Sequence, residues 1–159
     1  MEIGASEQEA IDFDWFGVDE EGLVGHFTSA GFKSLPKSVS GDAHALALIT
    51  EYFRSSAPIK GSHHVDDAIT NARPDWKGED NERRYLRSFV SMADRGLFSF
   101  DIDTYVEPGL EYFRVACPEN PATLDEFPGE VREIVSRTVL RGVRLRSQSR
   151  VLYEATLSM

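Results

Sequence analysis

The chain has 159 residues, a formal net charge of −10, and a composition that is 41% hydrophobic and 28% charged. These values exclude a disordered chain, and the length fits one domain that buries roughly two thirds of its unfolded surface. No apolar run reaches the roughly 20 residues of a membrane span, and the acidic start differs from a secretory signal peptide. We therefore expect a cytoplasmic protein with no membrane partner, made of a polar arm (residues 1–11) and one domain (residues 12–159).

The first predicted element is a β-hairpin formed by residues 13–18 and 23–28. Aromatic and β-branched residues flank an acidic turn that ends at Gly22, which is a hairpin pattern. Trp15 and Phe16 fall on opposite faces because side chains alternate along a strand. Large side chains on both faces predict a sheet that is covered on both sides.

Three amphipathic helices are predicted after the hairpin. The first begins at Asp42, a good N-cap residue, and its apolar residues recur at helical spacing until Ala57-Pro58 ends it. The second covers residues 79–95 and stops at Gly96, and the third begins near Pro128. Each helix has one apolar face to bury against a sheet.

Two further strands are predicted between the second and third helices. Residues 97–103 alternate between apolar and polar side chains and should pair antiparallel with residues 110–117. The alternation places Phe100 in one core with residues of the first two helices, and Asp101 and Asp103 on an outward polar face. The tail alternates weakly, which indicates one or two short edge strands. Together the elements predict an α+β fold with an antiparallel sheet of about four to six strands and about three helices mainly on one face.

One short segment collects two imidazoles and two carboxylates, all of them residue types that ligate divalent metals: His63, His64, Asp66 and Asp67. Adjacent side chains diverge on a strand and on a helix, so these four are not expected to converge on one ion. We therefore predict no metal and no cofactor. A small hydrolase or metal-dependent enzyme built on this cluster is the alternative function.

The other candidate residues are typical of structure. Asp101 and Asp103 are roughly 7 Å apart along a strand, a separation that inverting glycosidases use, but alternating Asp more commonly solubilises an outward face. Cys117 is the only cysteine and is expected to be a small, buried or half-buried thiol. His26 and His44 are isolated, and a hydrogen-bonded structural role is the default for each. We predict no catalytic residue.

Charge is distributed unevenly along the chain. Residues 1–32 contain eight acidic side chains and no Lys or Arg, a pattern that should repel nucleic acid and attract a basic protein. The residues expected to help form the docking surface are Asp12, Asp14, Asp19, Glu20 and Glu21. Segment 132–150 reverses the sign with six Arg against one acidic residue. Its arginines either bind an anion or pair with the acidic half, and the sequence leaves both open.

The string from Asp14 to Gly31 resembles a group of small acidic bacterial proteins of unassigned function. Their N-termini follow the pattern W-F-x-x-D-x-x-G-x-[IV]-x-x-F-x-[ST]-x-G, which Trp15, Asp19, Gly22 and Phe27 match. The group is similar in size, acidity and α+β make-up to immunity proteins of bacterial polymorphic toxin systems, which bind and occlude a toxin. The resemblance implies a non-enzymatic protein-binding module that occludes a basic toxin through an acidic surface. It transfers no site residue and implies no oligomeric state.

Overall fold

A mixed β-sheet lies at the centre of the computed structural model, which describes residues 1–31, 34–105 and 109–157. In these ranges the sheet has seven strands: β1 (Asp14–Asp19), β2 (Val24–Thr28), β3 (His63–Val65), β4 (Phe98–Ile102), β5 (Glu111–Pro118), β6 (Val139–Leu140) and β7 (Arg150–Leu152). Their order is β3-β5-β4-β2-β1-β6, and β7 also pairs with β5. The predicted α+β class is confirmed.

The sheet differs from the prediction in its strand directions. The β1–β2 hairpin and the β4–β5 pair are antiparallel, as expected. However, β2 runs parallel to β4, and β1 runs parallel to β6. The chain between β2 and β4 passes through several helices, and such a crossover returns it in the same direction. The short strands β3 and β6 at the two ends of this order raise the strand number above four to six.

The described residues also form seven helices: α1 (Ala5–Ala10), α2 (Lys37–Ser40), α3 (Ala43–Glu51), α4 (Ile69–Ala72), α5 (Glu79–Asp94), α6 (Gly129–Val135) and α7 (Tyr153–Thr156). A π-helical turn, Tyr52–Ser56, extends α3, and a 3₁₀ turn, Leu124–Glu126, precedes α6. The three predicted helices correspond to α3, α5 and α6. Asp42 caps α3 by accepting a hydrogen bond from the backbone N–H of Ala45 at 3.0 Å. Among all the residues that the structure describes, no helix has the length and apolar character to cross a membrane.

The three longest helices pack on one face of the sheet, which we call the helix face. Phe16 of β1 lines a small cavity together with residues of α3 and α6. The ring of Phe89 on α5 lies 5.9 Å from the ring of His26 on β2. Ser99 of β4 shares this face because β2 and β4 pair His26 with Ser99. The predicted placement of the helices mainly on one face is therefore confirmed.

Four aromatic side chains, which we call the aromatic stack, pack together on the opposite face, three of them face to face and Tyr112 edge-on. Phe27 lies at the centre of the aromatic stack, with ring centroids 4.2 Å from Trp15, 4.9 Å from Phe100 and 5.2 Å from Tyr112. All four are fully buried. The sheet is therefore covered on both faces, as the sequence predicts.

The core is divided differently from the prediction. Phe100 is buried as expected, in the same cluster as Phe53 from the π-helical turn after α3. Phe89 of α5, in contrast, belongs to a separate cluster with Phe113 and Val115 of β5. Met92 of α5 does belong to the Phe100 cluster, but the predicted packing of Phe100 with Leu86 and Phe89 is wrong, because Phe100 pairs with Phe27 on the opposite face of the sheet.

The first residues of the chain pack onto the domain. Ile3 is buried, and the Gln8 amide of α1 donates a hydrogen bond to its carbonyl at 2.9 Å. The Gln8 carbonyl oxygen accepts one from the backbone N–H of Leu35 at 2.8 Å. These contacts fix α1 within residues 1–11, the segment that the sequence predicts as a polar arm. Ile3 and Glu7 then form one wall of a cleft whose other wall is α3.

Candidate functional site

A cleft of about 340 Å³ opens between the N-terminal segment and α3. Phe13 and Leu46 contribute apolar lining, and the charged side chains come from three elements. Four carboxylates and one guanidinium line it: Glu7, Asp12, Asp14, Glu51 and Arg54. Carboxylates outnumber cations, so we call this feature the acidic cleft.

Asp14 joins the acidic cleft to polar groups buried beneath it. Its Oδ2 accepts a hydrogen bond from Arg54 Nη2 at 2.7 Å, and its Oδ1 lies 3.3 Å from His26 Nε2. The Asp14 side chain is 10% exposed, whereas that of Arg54 is 59% exposed. Burial alone would raise the pKa of the Asp14 carboxyl, but the His26 imidazole and the Arg54 guanidinium lower it to about 2. Asp14 is therefore ionised at neutral pH.

His26 is fully buried between the sheet and α5. Its Nδ1 lies 2.6 Å from Ser99 Oγ, whereas its Nε2 makes no hydrogen bond of good geometry with any described residue. Asp14, His26 and Ser99 thus form an acid–imidazole–hydroxyl row, the combination found in hydrolytic triads. Ser99 is fully buried, so the row lacks the accessible nucleophile that acyl transfer requires.

Asp101 lies one alternate position beyond Ser99 on β4 and is buried rather than exposed. Its Oδ1 accepts a hydrogen bond from the Thr28 hydroxyl at 2.5 Å, and its Oδ2 accepts one from the Tyr85 hydroxyl of α5 at 2.7 Å. Burial raises the pKa of the Asp101 carboxyl. Asp103 is also buried, within 3.1 Å of Arg150. The predicted outward, solubilising role of both residues is wrong because internal donors surround them.

The acidic residues of the hairpin are divided between the two ends of β1, which are about 16 Å apart for five residues of extended chain. Asp12 and Asp14 lie at the cleft end. Asp12 Oδ1 accepts a hydrogen bond from the backbone N–H of Ala30 at 2.7 Å, which leaves Oδ2 without a donor among the described residues. Burial and the nearby charge of Asp14 raise the pKa of the Asp12 carboxyl.

The opposite end of β1 carries charges of both signs. Asp19 is buried there and bonds to backbone N–H groups, so it does not belong to an exposed docking surface. Glu20 and Glu21 are exposed. Glu21 lines a shallow groove together with Asp125 and Arg132. The acidic cleft is therefore the more uniformly negative of the two ends.

The predicted metal-ligating residue types do not come together. His63 Nδ1 lies 2.8 Å from Asp94 Oδ1, and Asp66 Oδ2 accepts a hydrogen bond from Arg114 Nε at 2.7 Å. The other two members of the cluster are exposed: His64 and Asp67. Across residues 1–31, 34–105 and 109–157, no three His, Cys, Asp or Glu side chains are arranged to hold a metal ion.

The six arginines of segment 132–150 differ in their partners, and the first, Arg132, donates a hydrogen bond to the backbone carbonyl of Asp125 at 3.4 Å. Arg137 pairs with Glu133 at 2.9 Å and with Asp42 at 3.2 Å, and Arg150 pairs with Asp103. Three others are exposed, with no side-chain partner among the described residues: Arg141, Arg144 and Arg146. Internal pairing therefore accounts for part of this segment.

Cys117 and His44 occupy the positions expected of structural residues. Cys117 is half-buried, 3.9 Å from Asp66 Oδ2, and burial raises the pKa of its thiol. His44 is exposed in the first turn of α3. Neither side chain lies in the acidic cleft.

The sequence did not indicate three residues of the acidic cleft: Glu7, Glu51 and Arg54. They lie on α1 and at the end of α3, and only tertiary packing brings them to the hairpin. The one available pattern was the absence of Lys and Arg from residues 1–32, which marks this part of the chain as acidic. Comparison of the chain with protein-family models, curated proteins and solved structures finds no match.

The Asp14 ion pairs should make stability depend on pH. Because the folded state lowers the pKa of Asp14 from 3.8 to about 2, its ionisation stabilises the fold above pH 4. The Asp14→Asn variant should lose about 2 kcal/mol at pH 7, and this loss should be roughly halved by pH 3. Urea denaturation of both proteins between pH 7 and pH 3 measures the difference.

Asp12→Asn is the matched control for this measurement. The pKa of Asp12 is raised in the folded state, so ionising Asp12 opposes folding as pH rises above 3.8. Its replacement should therefore show no loss that grows between pH 3 and pH 7. An Asp14→Asn deficit that is constant with pH would contradict a stabilising role for the Asp14 charge.

Proposed function

We propose that this protein is a non-enzymatic binding module of the cytoplasm that docks on a basic protein through its acidic cleft. The acidic cleft itself is the observation that supports this proposal. Four carboxylates surround a concave surface that holds one cation, Arg54. Like charges around a concavity concentrate the electrostatic field and steer an oppositely charged partner toward it.

The resemblance of the hairpin sequence to acidic bacterial proteins suggests the kind of partner. An inhibitor of the immunity type would occlude a basic toxin, and a chain with a net charge of −10 suits that role better than binding nucleic acid. The alternative function, an enzyme using residues 63–67, has little support. Among the described residues these side chains join no group that could hold a metal ion, and His63 and Asp66 are bonded to Asp94 and Arg114 instead.

Capture of the partner from the source cell, followed by binding kinetics across salt concentrations, tests the proposal. Association should slow steeply as salt rises, because exposed charges are screened over ~10 Å at 0.1 M, while dissociation should change less. Reversing Glu7 and Glu51 together to Lys should slow association about tenfold or more at low salt.

Reversal of Glu20 and Glu21 to Lys provides the matched control at the other end of β1. The two ends are separated by about 16 Å, more than the screening length, so this variant should slow association less. The proposal fails if no protein is retained, or if association is insensitive to salt and to reversal of Glu7 and Glu51.

A further inference from the structure

We infer that the acidic cleft binds one arginine side chain of the partner, which takes the place of Arg54 on Asp14. The inference rests on the proposed function for the identity of the partner as a basic protein. It adds the chemical group that is recognised and the residue that occupies its position in the free protein.

Arg54 shows which chemistry this position accepts. Its guanidinium reaches Asp14 Oδ2 at 2.7 Å, and this is its one side-chain hydrogen bond among the described residues. The side chain is 59% exposed, and an ion pair with such an exposed partner contributes little to stability. A second guanidinium of better geometry can therefore displace Arg54 at small cost.

The carboxylates of the acidic cleft retain acceptors that the fold does not use. Within the described residues, Asp12 Oδ2 and both oxygens of Glu7 accept no hydrogen bond, whereas Asp14 Oδ1 already faces His26 Nε2 at 3.3 Å. A planar guanidinium presents five N–H groups in a fork and can donate to two oxygens at once, whereas a lysine ammonium acts as a point charge. These free acceptors favour arginine.

His26, which lies behind Asp14 in the interior of the protein, supplies an independent observation. It is fully buried, and its Nε2 faces Asp14 Oδ1 at 3.3 Å without forming a hydrogen bond. Buried polar atoms without a hydrogen bond are rare and indicate that a partner or a geometry is missing. An arginine entering from solvent is not tethered to the turn Tyr52–Ser56 as Arg54 is. The Asp14 carboxylate can then rotate toward His26 Nε2 while the arginine of the partner remains bound to it.

The size and lining of the acidic cleft fit a single side chain. Its volume of about 340 Å³ lies at the lower end of the range for small-ligand sites, which is roughly 300 to 1,000 Å³. Phe13 and Leu46 supply apolar surface for the methylene stem of an arginine, and the Phe13 ring can also contact its guanidinium plane. The carboxylates then bind its charged end.

Titration with the peptide acetyl-Gly-Arg-Gly-amide, followed by ¹⁵N–¹H NMR, tests the inference without the natural partner. Saturable shifts are expected for the backbone amides around Asp14 and Arg54. The same peptide with citrulline in place of arginine, a neutral analogue of similar shape, should produce no saturable shift. Asp14→Asn should weaken arginine-peptide binding about tenfold or more, because a hydrogen bond to a charged group is lost.

Arg54→Gln is the most informative variant because it removes the internal competitor. It should tighten peptide binding about two- to fivefold, the amount expected from an exposed ion pair. Glu7→Gln should weaken binding, and Glu21→Gln at the far end of the hairpin should leave it unchanged. Glu7 and Arg54 are exposed, so these variants decide the question even if Asp14→Asn fails to fold.

The inference is overturned if the arginine peptide gives no saturable shift at the acidic cleft, if the citrulline peptide binds equally, or if Arg54→Gln weakens binding. These outcomes are separable from failure of the proposed function. A captured partner that depends on cleft charges while the peptide does not bind leaves the proposed function intact. Peptide binding with no captured partner leaves the arginine site intact and removes the proposed function.

Discussion

Replacing Phe27 with alanine should lower the free energy of unfolding by about 3–5 kcal/mol, the cost typical of truncating a buried aromatic side chain. Phe27 is fully buried at the centre of the aromatic stack and contacts the rings of Trp15, Phe100 and Tyr112. Its removal deletes three ring contacts and leaves a cavity in the middle of the sheet. A domain of ordinary stability, about 5–15 kcal/mol, would be close to unfolding.

Urea denaturation and a thermal melt measure this effect, with two comparison variants. Phe27→Leu keeps most of the apolar volume and should cost less than Phe27→Ala, because the cavity is smaller. Leu152→Ala removes a side chain that is 53% exposed and should change the free energy of unfolding by less than about 0.5 kcal/mol. Equal losses for Phe27→Ala and Leu152→Ala would contradict the central position of the stack in the core.

The first hairpin was predictable because its determinants are local. Alternation and turn chemistry operate over a few residues, and the structure pairs Trp15 with Phe27 as neighbours on adjacent strands. Two residues of the N-terminal sequence motif, Asp19 and Gly22, also have structural roles within the hairpin. Asp19 accepts hydrogen bonds within the turn, and Gly22 adopts a φ of +84° that side chains other than glycine rarely tolerate.

The strand order was not predictable because it depends on contacts distant in sequence. Nothing local to β2 indicates that it pairs in parallel with β4, some 70 residues later. The strand β6 is two residues long, Val139–Leu140, and is too short to leave a periodic pattern. The alternating pattern also led to the wrong prediction for Asp101. A polar residue on a strand is expected to be exposed unless the hydrogen-bond donors that surround it in the fold are known. Tyr85 of α5 is such a donor, and its position is a tertiary property.

Only part of the candidate site was predictable, because its charges are visible in the sequence and its shape depends on tertiary packing. Asp12 and Asp14 belong to the acidic run that the sequence makes obvious. The cleft itself exists because Ile3 and Gln8 hold α1 against the domain, which brings Glu7 opposite Glu51. A count of charges therefore identified the sign of the surface, while the concavity required the packing of α1 on the fold.

Asp19 illustrates how an acidic residue can be structural rather than part of a binding surface. Its side chain is buried, although it lies in the most acidic segment of the chain. Oδ1 accepts hydrogen bonds from the backbone N–H groups of Glu21 and Leu23, both at 3.0 Å, and Oδ2 accepts one from that of Leu145 at 3.1 Å. One carboxylate thus closes the hairpin turn and holds the loop that follows β6, 126 residues away.

Replacing Asp19 with alanine should lower the free energy of unfolding by about 3–5 kcal/mol, since three backbone donors, most of them buried, lose their acceptor at once. Asp19→Asn should lose less stability, and the loss should be confined to the contact with Leu145. Its carbonyl oxygen can still accept from Glu21 and Leu23, but its amide group faces the Leu145 N–H as a second donor. Urea denaturation measures the total loss, and amide hydrogen exchange locates it: in Asp19→Asn, protection should fall around Leu145 and persist in the turn. Glu20→Ala, at the adjacent exposed position, should cost less than about 0.5 kcal/mol. If Asp19→Ala is as mild as Glu20→Ala, the carboxylate does not join these two segments.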